Sequence, residues 1–549
     1  MKIKQVVAKA NEIKEGEMKR ISVGDQELLL VNVGGSIHAY GPDCPHHGAP
    51  LEKGLLDGHR LLCPWHQSVF DARSGRLIDP PTLDDLEEYH VEIVEGNVVV
   101  HVPKEVSTAR TPRMSRPATE EDARKEHIEG EYKATVFPAD RLRSGRTFVI
   151  IGSGAAGITA AETLRQEGFQ GNITILTQDE DPPYDRTELS KRYLAKEDAS
   201  SPMLRNMDFY EHYGIKLLLG EKVSEVDVPN RRIVCAGGSD MRADAILLAS
   251  GSEPRTLEVD GSDLPNVFLL RSFRDCEQIR QRASRSKRAV VVGASFIGME
   301  TAASLAQRGI EVTVVAPEKV PFEGVLGEKI GKMYQSVHEQ EGTKFRMGEK
   351  IQRFEGDQEG VRRAVLQGGR SIDCDMVIVG IGVRPRTDFV KGVEINQDGS
   401  LPVDEHLQVA DGVFAAGDIA RFLDWRTGTP IRIEHWRLAQ ELGQLAARNM
   451  LGQSLTYEGT PFFWTSQHKV ILNYVGYIED WDDIRVEGSI EDRKFVALYV
   501  KDGHVYAAAG VGQSKKLCAV SESMRLSKAP SEDDMRHVIR TARPIHQHV

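Results

Sequence analysis

Four residues of this sequence have the types and spacing of a metal centre: Cys44 and His46 in C-P-H, and Cys63 and His66 in C-P-W-H. Each segment offers one thiolate and one imidazole on a proline-stiffened loop. Two cysteines on one iron and two histidines on the other would hold a [2Fe-2S] cluster, and the imidazoles would raise its potential above that of an all-cysteine cluster. A tetrahedral zinc site uses the same ligand types. Zinc fingers, however, usually supply their cysteines as one pair and their histidines as another, whereas here each loop carries one of each.

Glycines carry a second kind of chemistry. In FVIIGSGAAGITA an apolar run from Phe148 to Ile151 turns at Gly152, passes Gly154, Ala155, Ala156 and Gly157, and leaves as a helix of small residues. In such a strand-turn-helix Gly152 makes the tight turn, Gly154 lets the backbone approach a pyrophosphate, and Gly157 lets helix and strand pack closely. The helix N-terminus then faces the phosphates. A tight turn with small-residue packing would use the same glycines. The pattern recurs in AVVVGASFIGMETAASLAQRG, where Gly293, Ser295 and Gly298 hold the three positions. The serine adds a small side chain where the pyrophosphate approaches, and its hydroxyl can donate to a phosphate. Two dinucleotides in one chain point to a flavoprotein reduced by a nicotinamide nucleotide.

The elements that must position these residues follow from the surrounding pattern. Short β-type segments between Gly, Asp and Asn turns, such as QELLLVNVGGSIHAY and RLLCPWHQSVFD, predict a small all-β domain over the first hundred residues. Residues 104–145 are rich in charge, Ser/Thr and Pro and read as a linker. From Arg146 onward strands alternate with helices, which indicates parallel sheets covered by helices. The last twenty or so residues, with His546 and His548, read as a charged, loosely held tail. A formal net charge of -12 argues against a general nucleic-acid binder. No apolar run is long enough to span a bilayer, and the N-terminus lacks the pattern of a secretory signal, so the expected location is cytoplasmic.

CPHHGAPL followed by CPWHQSVFD resembles the Rieske ferredoxins and the ferredoxin-like domains of ring-hydroxylating systems. Ala49 and Trp65 stand where high-potential respiratory Rieske proteins carry a disulfide, which suggests the lower-potential branch. Gln67 stands where that family commonly has glycine, a departure that bears on how the second loop turns. His47 and His59 are expected to be loop residues outside a ligand set that is already complete. Residues 146 to about 460 resemble the two-dinucleotide-binding flavoprotein reductases, above all the ferredoxin reductases of oxygenase systems and the apoptosis-inducing factor family with its Rieske-bearing member. The resemblance implies FAD at the first fingerprint and NAD(P)H at the second. It implies further cofactor positions at Ala249 and Gly251 in LLASGSEPR, and at Gly417 and Asp418 in VFAAGDIA, where the aspartate would bond the ribityl chain. Arg186 and Lys191 in PPYDRTELSK match basic residues set against FAD, and a cation there stabilises negative charge on a reduced flavin. Glu434, His435 and Trp436 in IEHWRLAQ, and Trp464 in PFFW, match segments close to flavin and nicotinamide. Lys191, Glu434, His435 and Trp464 are therefore the expected catalytic residues.

At the FAD ribose the usual acid would fall on Gln178, so Asp179 beside it is assigned the hydroxyls. In the second unit Glu318 stands two positions beyond EVTVVA with no arginine immediately after the strand, which favours NADH over NADPH. The expected fold is multidomain α/β plus β. It comprises an all-β Rieske domain (1–103), the linker (104–145), a Rossmann-like FAD domain in two parts (146–258 and 385–455) around a Rossmann-like NAD(P)H domain (259–384), and a C-terminal α+β interface domain with the tail (456–549).

Disulfide reductases of this group carry redox cysteines near the flavin, but YDRTELSKRYL has none, and Cys235, Cys276, Cys374 and Cys518 are unpaired in spacing and read as ordinary buried thiols. The expected function is thus an NAD(P)H-dependent flavoprotein reductase passing electrons through FAD to the fused cluster and on to an unidentified acceptor, a protein or small molecule, with a homodimer as one assembly. The alternative is an NADH oxidase, or a redox-sensing interaction protein like apoptosis-inducing factor.

Overall fold

The computed structural model describes residues 2–103 and 145–545. The expected linker, apart from Gly145, lies outside the described residues, as do His546 and His548.

The N-terminal region is built from antiparallel sheets, as the alternation predicts. One sheet orders Met18–Val23, Gln26–Val33, Ser36–Tyr40 and Glu88–Tyr89, and another orders Leu55–Asp57, Arg60–Leu62, Val69–Asp71 and Leu77–Asp79. Strand Gln26–Val33 is buried on both faces, and the two-residue period divides it: Leu29 and Val31 enter the core that also holds Cys44 and Cys63, while Leu28 and Leu30 enter the other. The two cysteine loops grow from the first core, the second of them directly out of Arg60–Leu62 and back into Val69–Asp71.

The first fingerprint sits in a six-stranded sheet ordered Ile215–Leu218, Asn172–Leu176, Thr147–Ile151, Ala245–Leu248, Val413–Ala415 and Gln408–Ala410, parallel except for the last pair. Phe148 and Ile150 face one core and Val149 and Ile151 the other, which explains why this strand is a continuous apolar run. Two of its strands come from far down the chain, so the polypeptide leaves this sheet and returns. Between departure and return it forms a second sheet, all parallel, ordered Val267–Leu269, Met376–Val379, Arg288–Val292, Glu311–Ala316 and Lys344–Met347. The outgoing and returning segments, Ser252–Pro254 and Val383–Pro385, pair antiparallel.

Helix Trp436–Met450 lies on helix Ala155–Gln166, and glycine permits the approach: a Cβ on Gly443 would sit 2.3 Å from the Ala156 carbonyl oxygen. Beyond it a five-stranded antiparallel sheet runs Phe462–Gln467, Val470–Gly476, His504–Val511, Lys494–Lys501, Asp483–Ser489 and carries helices Ser514–Leu526 and Glu532–Thr541. Here the expectation of a loose tail is corrected. Met535, Val538 and Ile539 are buried in the core under this sheet, an amphipathic face that the charged residues of the segment obscure in sequence. Among the described residues no helix is long and apolar enough to cross a membrane.

Candidate redox site

The two glycine turns have the same geometry. Gly152 has φ 109° and a Cβ there would lie 2.2 Å from the Ala249 carbonyl oxygen; Gly293 has φ 106° and would meet the Gly380 oxygen at 2.2 Å. Gly157 and Gly298 each face the first glycine of their own turn, at 2.0 and 2.2 Å from its carbonyl oxygen. Both positions therefore require glycine, in one case for φ and close approach together, in the other for close approach alone. Gly154 is different: a Cβ would meet nothing within 4 Å. Its φ of -75° and ψ of -168° match the -98° and -169° of Ser295, so the serine adopts the same backbone without strain. The second position is an open cradle, and a serine is conformationally neutral in it.

A cavity of about 910 Å³ opens beneath the first turn. Gly152, Gly154, Ala155, Ala156, Asp179, Arg186, Ala249 and Gly251 line it, and so do Lys191, Gly417, Asp418, Glu434, His435, Trp436 and Trp464. Gly157, Gly293, Ser295, Gly298 and Glu318 do not line it, although Phe296, Ile297 and Glu300 of the second fingerprint helix do. Gln178 also lines it, but it is exposed, whereas Asp179 is half-buried and accepts from the Tyr184 hydroxyl at 3.2 Å.

Three charged groups in this cavity are paired with charges of the opposite sign. Lys191 Nζ lies 3.0 Å from Glu300 Oε2 and donates to the Thr187 carbonyl at 2.8 Å. Glu300, 3% exposed, also accepts from Ser190 and from Thr465 Oγ1, so it joins the first dinucleotide unit, the second and the C-terminal sheet. Asp418 pairs with Arg271 at 3.0 Å. Burial pushes the Glu434 carboxyl up despite its pairing with Arg432, and it pushes the His435 imidazole down to about 4, leaving that ring neutral against Phe463. Sequence reasoning missed Glu300 and Arg271. The first had a signal, a carboxylate inside the apolar helix GMETAASLA; the second had none.

The cysteine loops are paired in form. Cys44 N–H donates to the Ala49 carbonyl and the Cys44 carbonyl accepts from Gly48 N–H; Cys63 N–H donates to the Ser68 carbonyl and the Cys63 carbonyl accepts from Gln67 N–H, at 2.8, 2.9, 2.8 and 3.2 Å. Gly48 has φ 76° and Gln67 φ 55°, so the glutamine takes the left-handed turn that glycine makes in the first loop. The loop turns as the family's glycine would, at a cost of conformational strain. The loops bring the donors together. Both cysteines are 1% exposed, a hydrogen bond to Cys63 and burial push the Cys44 thiol up, and His46 Nδ1 stands 2.9 Å from His66 Nδ1. Burial holds both imidazoles neutral, as ligands must be. Two thiols and two ring nitrogens converging from matched loops fit a [2Fe-2S] cluster.

These loops meet the cavity wall. The His66 ring lies 4.3 Å from Trp464, and Asp185, 7% exposed, reaches His46 Nε2 and His47 Nε2 at 3.8 Å each. Burial alone would raise the Asp185 carboxyl, but hydrogen bonds from His46, His47 and Thr187 hold it well below the usual range. His47 is thus part of a contact between units and more than a loop residue. Cys518, expected to be an ordinary buried thiol, points its Sγ at the Cys63 carbonyl at 3.7 Å. Cys276 and Cys374 are pushed up to about 12 by burial, and Cys235 is also raised, which leaves all three inert as nucleophiles.

Comparison with known proteins agrees with this arrangement. Residues 146–443 match the pyridine nucleotide-disulphide oxidoreductase family, residues 3–90 the Rieske [2Fe-2S] domain and residues 462–538 the reductase C-terminal domain. Apoptosis-inducing factor 3 of Mus musculus is 35% identical over 533 residues, 96% of this chain and 85% of that protein. Putidaredoxin reductase of Pseudomonas putida is 31% identical over 379 residues, 68% of this chain and 90% of that one. The crystal structure of the ferredoxin reductase for the CYP199A2 system from Rhodopseudomonas palustris superimposes with a TM-score of 0.68 at 29% identity, covering 71% of this chain and 97% of that one. With its paired fingerprints, cluster loops and C-terminal sheet, this chain belongs to the pyridine nucleotide-disulphide oxidoreductase family, as an FAD-dependent member that carries a Rieske [2Fe-2S] domain.

Proposed function

We propose that this chain takes electrons from NADH at one fingerprint, through FAD at the other, to its own Rieske cluster and on to an acceptor protein. The observation that carries the reading is the shared wall: the His66 ring stands 4.3 Å from Trp464, a residue that lines the cavity beneath the first fingerprint. FAD supplies the exchange between the two electrons of a hydride and the single electron that a [2Fe-2S] cluster accepts. Gly152, Gly154, Ala155 and Ala156 would hold its pyrophosphate at the helix N-terminus, with Asp179 on the ribose and Gly417 and Asp418 on the ribityl chain. Arg186 and Lys191 would offer positive charge, and Ala249 and Gly251 close approach of the backbone. Glu434, His435, Trp436 and Trp464 would close the reacting end and exclude water. Gly293, Ser295, Gly298 and Glu318 would hold NADH, while Cys44, His46, Cys63 and His66 would ligate the cluster. The division of the chain given above, with its FAD domain in two parts, belongs to the same reading.

Anaerobic titration with NADH, followed by visible absorbance and low-temperature electron paramagnetic resonance, tests it. Bleaching of the flavin together with appearance of the reduced cluster signal is expected. A flavin that bleaches over a cluster that stays oxidised would instead support the NADH oxidase reading. Glu318→Ala is expected to weaken NADH more than NADPH, and equal effects on the two would remove this residue from the ribose.

A further inference from the structure

The cluster-bearing unit is held by its histidine side. His46 faces Asp185, His66 faces Trp464, and buried groups fasten the contact: Arg205 pairs with Asp84 at 2.9 Å, and Arg437 donates to the Pro80 carbonyl at 2.8 Å. An external acceptor cannot reach the histidines from that side without prising these groups apart. The second loop has another neighbour. Trp65, 38% exposed, precedes His66, and the two rings are 6.4 Å apart. His66 therefore has two tryptophans within reach, Trp464 lining the large cavity and Trp65 at the surface.

Trp65 forms the rim of a separate groove of about 330 Å³, between the Rieske unit and the C-terminal sheet. Ile471, 45% exposed, adds apolar surface, and the charged residues lining the groove are Lys469 and Arg493, with no carboxylate among its lining. Asn473, 4% exposed, also lines it, and its side-chain oxygen is shielded from solvent and has no hydrogen-bond partner among the described residues. The groove also receives the start of helix Ser514–Leu526, which has no side-chain cap and no acid in its first turn, where Lys515 and Lys516 stand instead. On a chain of net charge -12 this is a locally basic patch with an aromatic and an aliphatic centre, the composition of a protein-docking surface.

We infer that this groove docks an acidic one-electron carrier protein, and that electrons leave the cluster past Trp65 while the Rieske unit stays in place. The inference rests on the electron route proposed above. Each NADH oxidised to NAD⁺ releases one proton and two electrons, so two carrier molecules are reduced per NADH, one electron each. Basic rim charges would orient the carrier before contact.

The test uses the full-length protein with its cofactors, acidic plastocyanin as the carrier, and basic cytochrome c as the control of opposite charge. In the double variant Lys469→Glu, Arg493→Glu, plastocyanin affinity measured calorimetrically on the oxidised proteins should fall at least tenfold at low ionic strength. Its reduction rate should fall with it, and that of cytochrome c should hold or rise. Trp65→Ala should slow plastocyanin reduction with the cluster resonance signal still present. Without carrier, NADH should reduce flavin and cluster in the double variant as in the parent. Equal plastocyanin affinity and rate in parent and double variant would overturn the docking site. A parent cluster that NADH fails to reduce would overturn the electron route, while the affinity difference would still judge the groove. Light scattering that shows a parent dimer abolished by the double variant would assign the groove to a second copy and overturn the inference.

Discussion

Glu300 makes more of the site than its neighbours in sequence suggest. It is a carboxylate at 3% exposure whose partners, Lys191, Ser190 and Thr465, come from two other units. Glu300→Gln keeps the shape and removes the charge, leaving the Lys191 ammonium without its anion in a mostly buried place. Breaking a buried pair in this way costs roughly 3–5 kcal/mol. The expected outcome is a lower thermal midpoint, recovered in part by Lys191→Met in the same chain, and calorimetry of the single and double variants measures it. His338 carries a second residue-scale prediction. It is fully buried, bonds Gln467 at 2.9 Å, and burial pushes its pKa down to about 4. In the unfolded chain it titrates near 6.5, so its contribution is whole above that pH and is lost as pH falls toward 4. A gap of this size is worth about 3 kcal/mol at full protonation. The thermal midpoint of His338→Gln should therefore depend less on pH between 6.5 and 4 than that of the parent.

At the scale of elements, the two strand-turn-helix units separate glycines that hold the fold from one that leaves room for a ligand. Gly157→Val would drive a side chain into the Gly152 carbonyl, whose oxygen already lies 2.0 Å from an ideal Cβ. The helix must then lift off its strand, and loss of the folded FAD unit is expected, read as loss of soluble, flavin-bearing protein. Gly154→Ala meets nothing within 4 Å and has an ordinary φ of -75°. It is expected to fold with an unchanged circular dichroism spectrum and to hold FAD more weakly, measured by flavin release on dilution. Ser295 already shows that this backbone position accepts a side chain. Comparable loss of fold in both variants would place the third and second glycines in the same role and contradict this division.

At the scale of the molecule, docking of the Rieske unit decides what the chain can do. Arg205, 4% exposed, holds Glu162 on the first fingerprint helix at 3.0 Å and Asp84 of the Rieske unit at 2.9 Å. Arg205→Met would leave Glu162, 2% exposed, as an uncompensated buried charge, at a cost of roughly 3–5 kcal/mol. The expected outcome is a separate, earlier melting transition for the Rieske unit, with faster hydrogen exchange around residues 80–86 and slower reduction of the cluster by NADH. A single unchanged transition would mean that the contact at Asp84 does not hold the units together.

What the chain declared in advance was local. Two ligands on one loop, three glycines around one turn and alternating apolar residues along one strand are properties of a few consecutive residues, and strand periodicity, backbone φ and loop length express them before anything packs. Even so, Gln67 concealed a left-handed turn behind a residue that rarely makes one, and the helix Glu532–Thr541 hid its apolar stripe among charges. Only the tertiary structure brought Asp185 to His46, Glu300 to Lys191, Cys518 to the Cys63 loop, and Trp464 to His66. Each of these contacts joins residues from separate units or strands, so it depends on how folded surfaces dock, and no spacing along the chain encodes that.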